Sequence, residues 1–257
     1  MTYSIGLAGK GGTGKTTLAG LLVKYLVEKG ETPVLAVDAD ANANLNEVLG
    51  CELEETLGNA REEMKKGVST GMTKDVYIEM KLQKAVIERP GFDLIVMGRP
   101  EGAGCYCAAN SLLTVYLDKL INNYKFVVMD NEAGMEHLSR RTTQNIDELL
   151  LVSDHSVKGL RAVARIRELV SELKLAVTRE SIIINLVPDG IDPLLKQEMD
   201  RLGITPAATV PVDEELQRYD LEQRPLFDLP DTSKAVKAVN DLMDKLLQPE
   251  KVKMKRG

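Results

Sequence analysis

The sequence predicts an α/β fold, a mostly parallel sheet of about seven or eight strands with helices on both faces. Three observations predict it. Short apolar runs of strand length alternate with longer stretches of helical periodicity. A glycine-rich run, Gly9-Lys10-Gly11-Gly12-Thr13-Gly14-Lys15-Thr16, stands between the first strand candidate and the first helix candidate. Two further strand candidates run straight into carboxylates, the first at Asp38-Ala39-Asp40 and the second at Asp130.

Taken in order, the apolar run 4–8 ends at Gly9, and helix 15–29 follows the glycine run. Strand 33–37 carries Val34-Leu35-Ala36-Val37 into Asp38. Residues 50–90 are charged and contain Met with little strand character, so they read as a helical excursion before strand 92–97. Helix 111–123 precedes strand 125–129, where Phe126-Val127-Val128-Met129 leads into Asp130, and helix 135–146 comes next. Strand 149–152, helix 157–174 and strand 181–186 repeat the alternation, followed by helix 193–202 and a short strand at 208–210. In helix 233–247, Ala235, Val236, Val239, Leu242, Met243, Leu246 and Leu247 form one apolar stripe, the pattern of a core-facing helix. The tail 248–257 carries Lys251, Lys253, Lys255 and Arg256 with no aromatic residue and reads as a solvated end. No Pro/Gly/Ser-rich linker interrupts the 257 residues, so one domain over 1–257 is expected.

Composition narrows the chemistry. With 44% hydrophobic and 28% charged residues the chain buries a sizeable core. The 33 Lys and Arg against 39 Asp and Glu leave a net charge of −6, the wrong sign for tracking phosphate backbones, so nucleic acid is not an expected partner. No apolar run reaches the ~18 residues of a membrane helix, and the N-terminal residues lack a leader pattern. A cytoplasmic protein without a membrane partner is expected. Only His137 and His155 are histidines, which argues against a His-rich metal site or a His-centred hydrolase.

The glycine run satisfies G-x-x-x-x-G-K-[ST] in the strand-then-helix context that the motif requires. Its backbone N–H groups converge on phosphate oxygens at a helix N-terminus, where unpaired amides favour anions. Lys15 is expected to bridge the terminal phosphates and the Thr16 hydroxyl to ligate Mg²⁺. In an open α/β sheet, aspartates at strand ends face such a ligand, which makes Asp130 the carboxylate that holds Mg²⁺ and Gly134 the amide that senses the γ-phosphate. Lys10 is not required by the general motif, and a second cation in a tight loop needs an anion to meet.

The chain has three cysteines, an odd number. Cys105 and Cys107 are spaced i, i+2, so in extended chain their thiols converge. Two thiolates do not close a four-coordinate site, but a two-fold dimer supplies four and would hold Ni²⁺ or Zn²⁺. Inert thiols and a redox disulfide are the other readings of the pair. Cys51, alone in a stretch read as helical, reads as a core or incidental residue.

The stretch KGGTGKT resembles the deviant phosphate loop of the P-loop ATPases that include nitrogenase iron protein and the septum-site and plasmid-partition ATPases. The resemblance implies that Lys10 reaches a partner's nucleotide across a dimer and that Asp40 orients the attacking water, with Asp38 in the Mg²⁺ shell. It also implies that Asn185 pairs with the adenine edge, the guanine-selecting N-K-x-D pattern being absent there. The family often has Pro after the second Asp, where Ala41 stands here. The expected nucleotide-binding set is therefore Gly9, Gly11, Gly12, Thr13, Gly14, Lys15, Thr16, Thr17, Gly134, Asn185 and Pro211, and the expected catalytic set is Lys10, Lys15 and Asp40.

Residues 104–111 (GCYCAANS) and 130–140 (DNEAGMEHLSR) further resemble the Cys-x-Cys and switch segments of the nickel-insertion ATPases of the CooC type. Those proteins mature carbon monoxide dehydrogenase, and relatives serve acetyl-CoA synthase. The resemblance spans 4–247 and implies an ATP-dependent metallochaperone with ATP and Mg²⁺ as cofactors, a homodimer and a nickel-enzyme client. His137 reads as a helix-packing or capping residue, with a function-linked role as the alternative. A positioning or partition ATPase without metal, or an Fe–S electron-transfer ATPase, are the alternatives.

Overall fold

A computed structural model describes residues 2–40, 42–59, 73–98, 119–131 and 145–248. In chain order the elements are β1 (Tyr3–Gly9), α1 (Lys15–Glu28), β2 (Val34–Asp38), α2 (Leu45–Val48), α3 (Lys74–Ala85), β3 (Val86–Arg89), β4 (Phe92–Val96), β5 (Phe126–Asp130) and β6 (Asn145–Ser153). They continue with α4 (Val157–Glu172), β7 (Ala176–Val187), α5 (Pro193–Leu202), β8 (Ala208–Pro211), α6 (Glu214–Leu221), a 3₁₀ turn (Leu226–Asp228) and α7 (Lys234–Leu246). The sheet has eight strands in the order β3-β4-β2-β5-β1-β6-β7-β8. Every pairing is parallel except β3 with β4.

Side-chain alternation sorts the strands' apolar residues onto two faces. Val128, Leu150 and Val152 pack with Leu18, Leu22 and Leu26 of α1 and Val236, Val239 and Met243 of α7. Val127, Met129, Leu149 and Leu151 turn to the other face and meet Leu160, Val163 and Ile166 of α4. Both faces being covered, the central strands read as continuous apolar runs, which is why they were legible.

Three expectations change. Residues 86–89 form an antiparallel edge strand where the excursion was expected to be helical, because α3 runs into β3 without a break and Pro90-Gly91 turns the chain back into β4. The last two residues of the helix expected over 135–146 are not helical: Asn145 and Ile146 open β6, with Ile146 buried against the core. Helices α2 and α6 were not expected. Cys51 lies in the segment after α2, buried in the core as expected although outside a helix. Most of helices 111–123 and 135–146, and the tail from 249, lie outside the described residues.

Candidate functional site

Strand β1 sits near the middle of the sheet and delivers the glycine run to the carboxyl ends of its neighbours. At Gly9 any Cβ would lie 2.2 Å from the Val152 carbonyl oxygen of β6, so the close approach of two strands excludes other residues there. Gly14 is the N-cap of α1 with φ 83° and gives the helix no side-chain cap. The first-turn amides are therefore left for an anion. Within the loop, the buried Thr13 hydroxyl and the Lys15 ammonium both donate to the Lys10 carbonyl, at 2.9 and 3.3 Å. The Lys10 side chain, like Gly11 and Gly12, is exposed.

Asp38 and Asp130 are direct register partners at the ends of β2 and β5. Both are buried. The Asp38 carboxylate accepts from the backbone N–H of Asp40 at 3.0 Å and of Leu45 at 2.9 Å, so it shapes the loop that follows it. Burial raises the Asp38 carboxyl, against the pull of those N–H groups. Asp40 is half-buried, and its Oδ1 accepts from the Asn42 N–H at 2.8 Å in a turn that continues through Ala43 at φ 54°.

Asp130 is 1% exposed, and its Oδ1 has no hydrogen-bond partner. Burial pushes its carboxyl up to about 6. The Thr16 hydroxyl bonded to it and the Lys15 charge oppose the shift, while Asp38 and Asp40 add to it. A buried acceptor without a donor, beside a threonine hydroxyl and two more carboxylates, fits a divalent cation. Among the described residues no three His, Cys, Asp or Glu side chains group closely enough to hold a metal. Magnesium suits that sparse donor set, since it keeps several waters and takes substrate phosphates as ligands.

Asn185 ends the core run of β7, and its Nδ2 donates to the Thr13 carbonyl at 2.8 Å. The next residue, Leu186, has φ 58° at an irregularity in the β7–β8 pairing. Here an open cleft is lined by Gly14, Thr17, Asn185, Pro211, Asp213 and Gln217. With Nδ2 spent on the phosphate loop, Asn185 offers its carbonyl oxygen, an acceptor that suits the amino edge of adenine and not the oxo edge of guanine.

The structure thus brings the glycine run, Thr16, Thr17, Asp38, Asp40, Asp130, Asn185 and Pro211 to one end of the sheet. Ala41, Cys105, Cys107, Gly134 and His137 lie outside the described residues. Asp213 and Gln217 also line the cleft and were not among the expected site residues. The signal for Asp213 was present as an Asp ahead of Glu214 and Glu215, a helix-start pattern.

A strand–glycine loop–helix facing two strand-end aspartates defines a P-loop ATPase. The chain belongs to the CobQ/CobB/MinD/ParA nucleotide-binding family, whose model matches residues 5–226. It is 41% identical over 248 residues to an uncharacterized ATP-binding protein of Methanocaldococcus jannaschii, covering 95% of this chain and 98% of that one. It is 28% identical over 240 residues to the carbon monoxide dehydrogenase accessory protein CooC of Rhodospirillum rubrum, covering 88% and 89%. The septum site-determining protein MinD of Pyrococcus horikoshii, solved with Mg-ADP, shares the fold at a TM-score of 0.70 and 23% identity, over 98% of this chain and 99% of that one.

Proposed function

We propose that this ATPase is a metallochaperone that pairs with a second copy when Mg-ATP binds. In this reading it carries a divalent ion between the paired Cys105/Cys107 segments and delivers nickel to a carbon monoxide dehydrogenase or acetyl-CoA synthase client. The Cys-x-Cys segment carries the proposal, supported by the similarity to CooC along most of both chains. Backbone amides from Gly11 to Thr16 and the Lys15 ammonium bind the phosphates, and Asn185 with Pro211 receives the base. Thr16 and Asp130 would hold magnesium, which neutralises charge on the terminal phosphates when bound, with Asp38 holding the loop beside them. Asp40 orients the attacking water, Gly134 senses the γ-phosphate, and Lys10 reaches the partner's nucleotide. Among the described residues no helix is long and apolar enough to cross a membrane.

Anaerobic titration with Ni²⁺ or Zn²⁺ in the presence of Mg-ATP tests this. Two thiolates per chain require one ion per two chains, and metal and nucleotide reinforce each other because both bind the paired state. Cys105→Ser and Cys107→Ser each lose tight metal binding and keep nucleotide binding, whereas Cys51→Ser changes neither. One ion per chain, or full binding by the double Cys105→Ser/Cys107→Ser variant, contradicts the shared site. Pairing on ATP with no metal bound favours a positioning or partition ATPase, and a brown protein carrying iron and sulfide favours electron transfer.

A further inference from the structure

The base cleft is built from elements far apart in sequence. Asn185 comes from β7, Pro211 from β8, Leu216 and Gln217 from α6, and Ala235 from α7. One side chain ties the last three together. Asp213 is 7% exposed and sits just after β8. Its Oδ1 accepts from the N–H groups of Glu215 and Leu216 at 2.9 and 3.3 Å, which caps α6. Its Oδ2 accepts from the Ser233 hydroxyl at 2.6 Å and the Ala235 N–H at 3.0 Å, at the start of α7. Ser233 is itself buried and caps α7 by accepting from the Val236 N–H at 3.2 Å. On the other side, the Val212 N–H donates to the Val187 carbonyl at 2.9 Å, fixing the strand end from which Asp213 projects.

A helix N-cap needs one acceptor for one helix. Here a single carboxylate serves the starts of two helices, and each of those helices supplies a wall of the same cleft. Burial alone would raise the Asp213 carboxyl, yet the Ser233 hydroxyl and the N–H groups of Ala235, Leu216 and Glu215 hold it below its ordinary value.

We propose that Asp213 is a positioning residue for capture of the nucleotide base. It acts through Leu216, Gln217 and Ala235, which it holds against Pro211 and Asn185, and it touches neither phosphate nor reacting atoms. This rests on the reading that the base enters this cleft. The phosphate loop is built on β1 and α1, so disturbing Asp213 should weaken the part of nucleotide binding that depends on the base and leave the part that depends on phosphates.

The experiment compares ATP with inorganic tripolyphosphate, which has the phosphates and no base, on the full-length wild type, Asp213→Asn and Asp213→Glu. Asp213→Asn retains the shape of the side chain but loses the second charged oxygen that takes Ser233 and Ala235. The expected result is an ATP dissociation constant and KM raised about tenfold, the equivalent of one displaced buried hydrogen-bonding group. The tripolyphosphate constant moves less than about twofold and kcat falls far less than KM rises. Asp213→Glu, which restores the charge, recovers part of the ATP affinity. If Asp213→Asn does not fold, Ser233→Ala, which removes one of the two Oδ2 donors, is read in the same way with a smaller expected rise. ATP and tripolyphosphate weakened in parallel, or neither weakened in a folded variant, overturns the assignment. A wild type that binds tripolyphosphate as tightly as ATP overturns the base-cleft reading first, and the Asp213 assignment with it.

Discussion

The side-chain amide of Asn185 donates to the Thr13 carbonyl at 2.8 Å, so the end of β7 holds the phosphate loop that β1 delivers. The contact joins the cleft beside β7 to the glycine loop through one side chain. Asn185→Asp replaces the donor by an acceptor facing an acceptor. Loss of a buried hydrogen bond to a polar group is worth about 1–3 kcal/mol, or roughly 5–150-fold in affinity. ATP affinity should fall within that range, while the side chain keeps an acceptor oxygen on the side of the cleft. Calorimetric titration of ATP checks it, and an unchanged ATP constant contradicts the tether.

Gly9 and Gly14 fail differently when a methyl group is added. At Gly9 the new atom meets the Val152 carbonyl oxygen at 2.2 Å, a backbone contact between paired strands that yields only if the sheet shifts. Gly9→Ala should cost about 3 kcal/mol or more in stability, the upper part of the usual overpacking range. At Gly14 the methyl meets the Asn185 side chain at 2.4 Å. Gly14→Ala should stay folded and lose nucleotide binding. Urea unfolding and nucleotide titration of both variants separate the two outcomes.

Asp40 is open to a clean test because its turn needs an acceptor and not a charge. The bond from the Asn42 N–H to Oδ1 survives in Asp40→Asn. That variant should keep Mg-ATP binding, lose hydrolysis by at least about 10²-fold if the carboxylate orients water, and accumulate with ATP bound. Wild-type turnover would retire Asp40 from catalysis. Failure to bind Mg-ATP would place it with the metal instead.

The acid limb of stability should carry the mark of Asp213. Its folded carboxyl lies below the ordinary 3.8, so the unfolded chain takes up the proton first as pH falls. A group of this kind adds stability above its unfolded pKa and loses it as pH drops through the folded one. Unfolding measured from about pH 6 to about pH 3 should show a shallower acid loss for Asp213→Asn than for the wild type. Parallel curves would mean that the carboxylate's hydrogen bonds are not coupled to folding.

How much of this was legible in the sequence differs by element. The glycine run and the strand-end aspartates were readable because phosphate binding demands fixed residue types at fixed spacing, and doubly covered strands are apolar throughout. Strand β3 was hidden because Val86-Ile87-Glu88-Arg89 follows a helix without a turn residue and lies at the edge of the sheet. The first residues of β7 alternate between half-buried and exposed, so only its core run from about Ser181 carried a strand signal. Asp213 looked like an ordinary helix start. That it serves two helices, and that both wall one cleft, depends on residues 20 and more positions apart, such as Asp213 and Ser233, meeting in the fold.

If nucleotide drives two copies of this chain together, as proposed, Lys10 is the residue that tests it. Its carbonyl holds Thr13 and Lys15 in place, while its side chain is exposed and so available to a partner. Lys10→Ala leaves that carbonyl intact, so nucleotide binding should persist while turnover drops at least roughly tenfold, as for trans-acting cations in phosphoryl transfer. Sedimentation velocity with Mg-ATP, with Mg-ADP and without nucleotide measures the pairing directly. The wild type should be a dimer with Mg-ATP and a monomer otherwise, and Lys10→Ala should stay monomeric with Mg-ATP bound. A wild type that hydrolyses ATP as a monomer, with Lys10→Ala turning over equally fast, would contradict it.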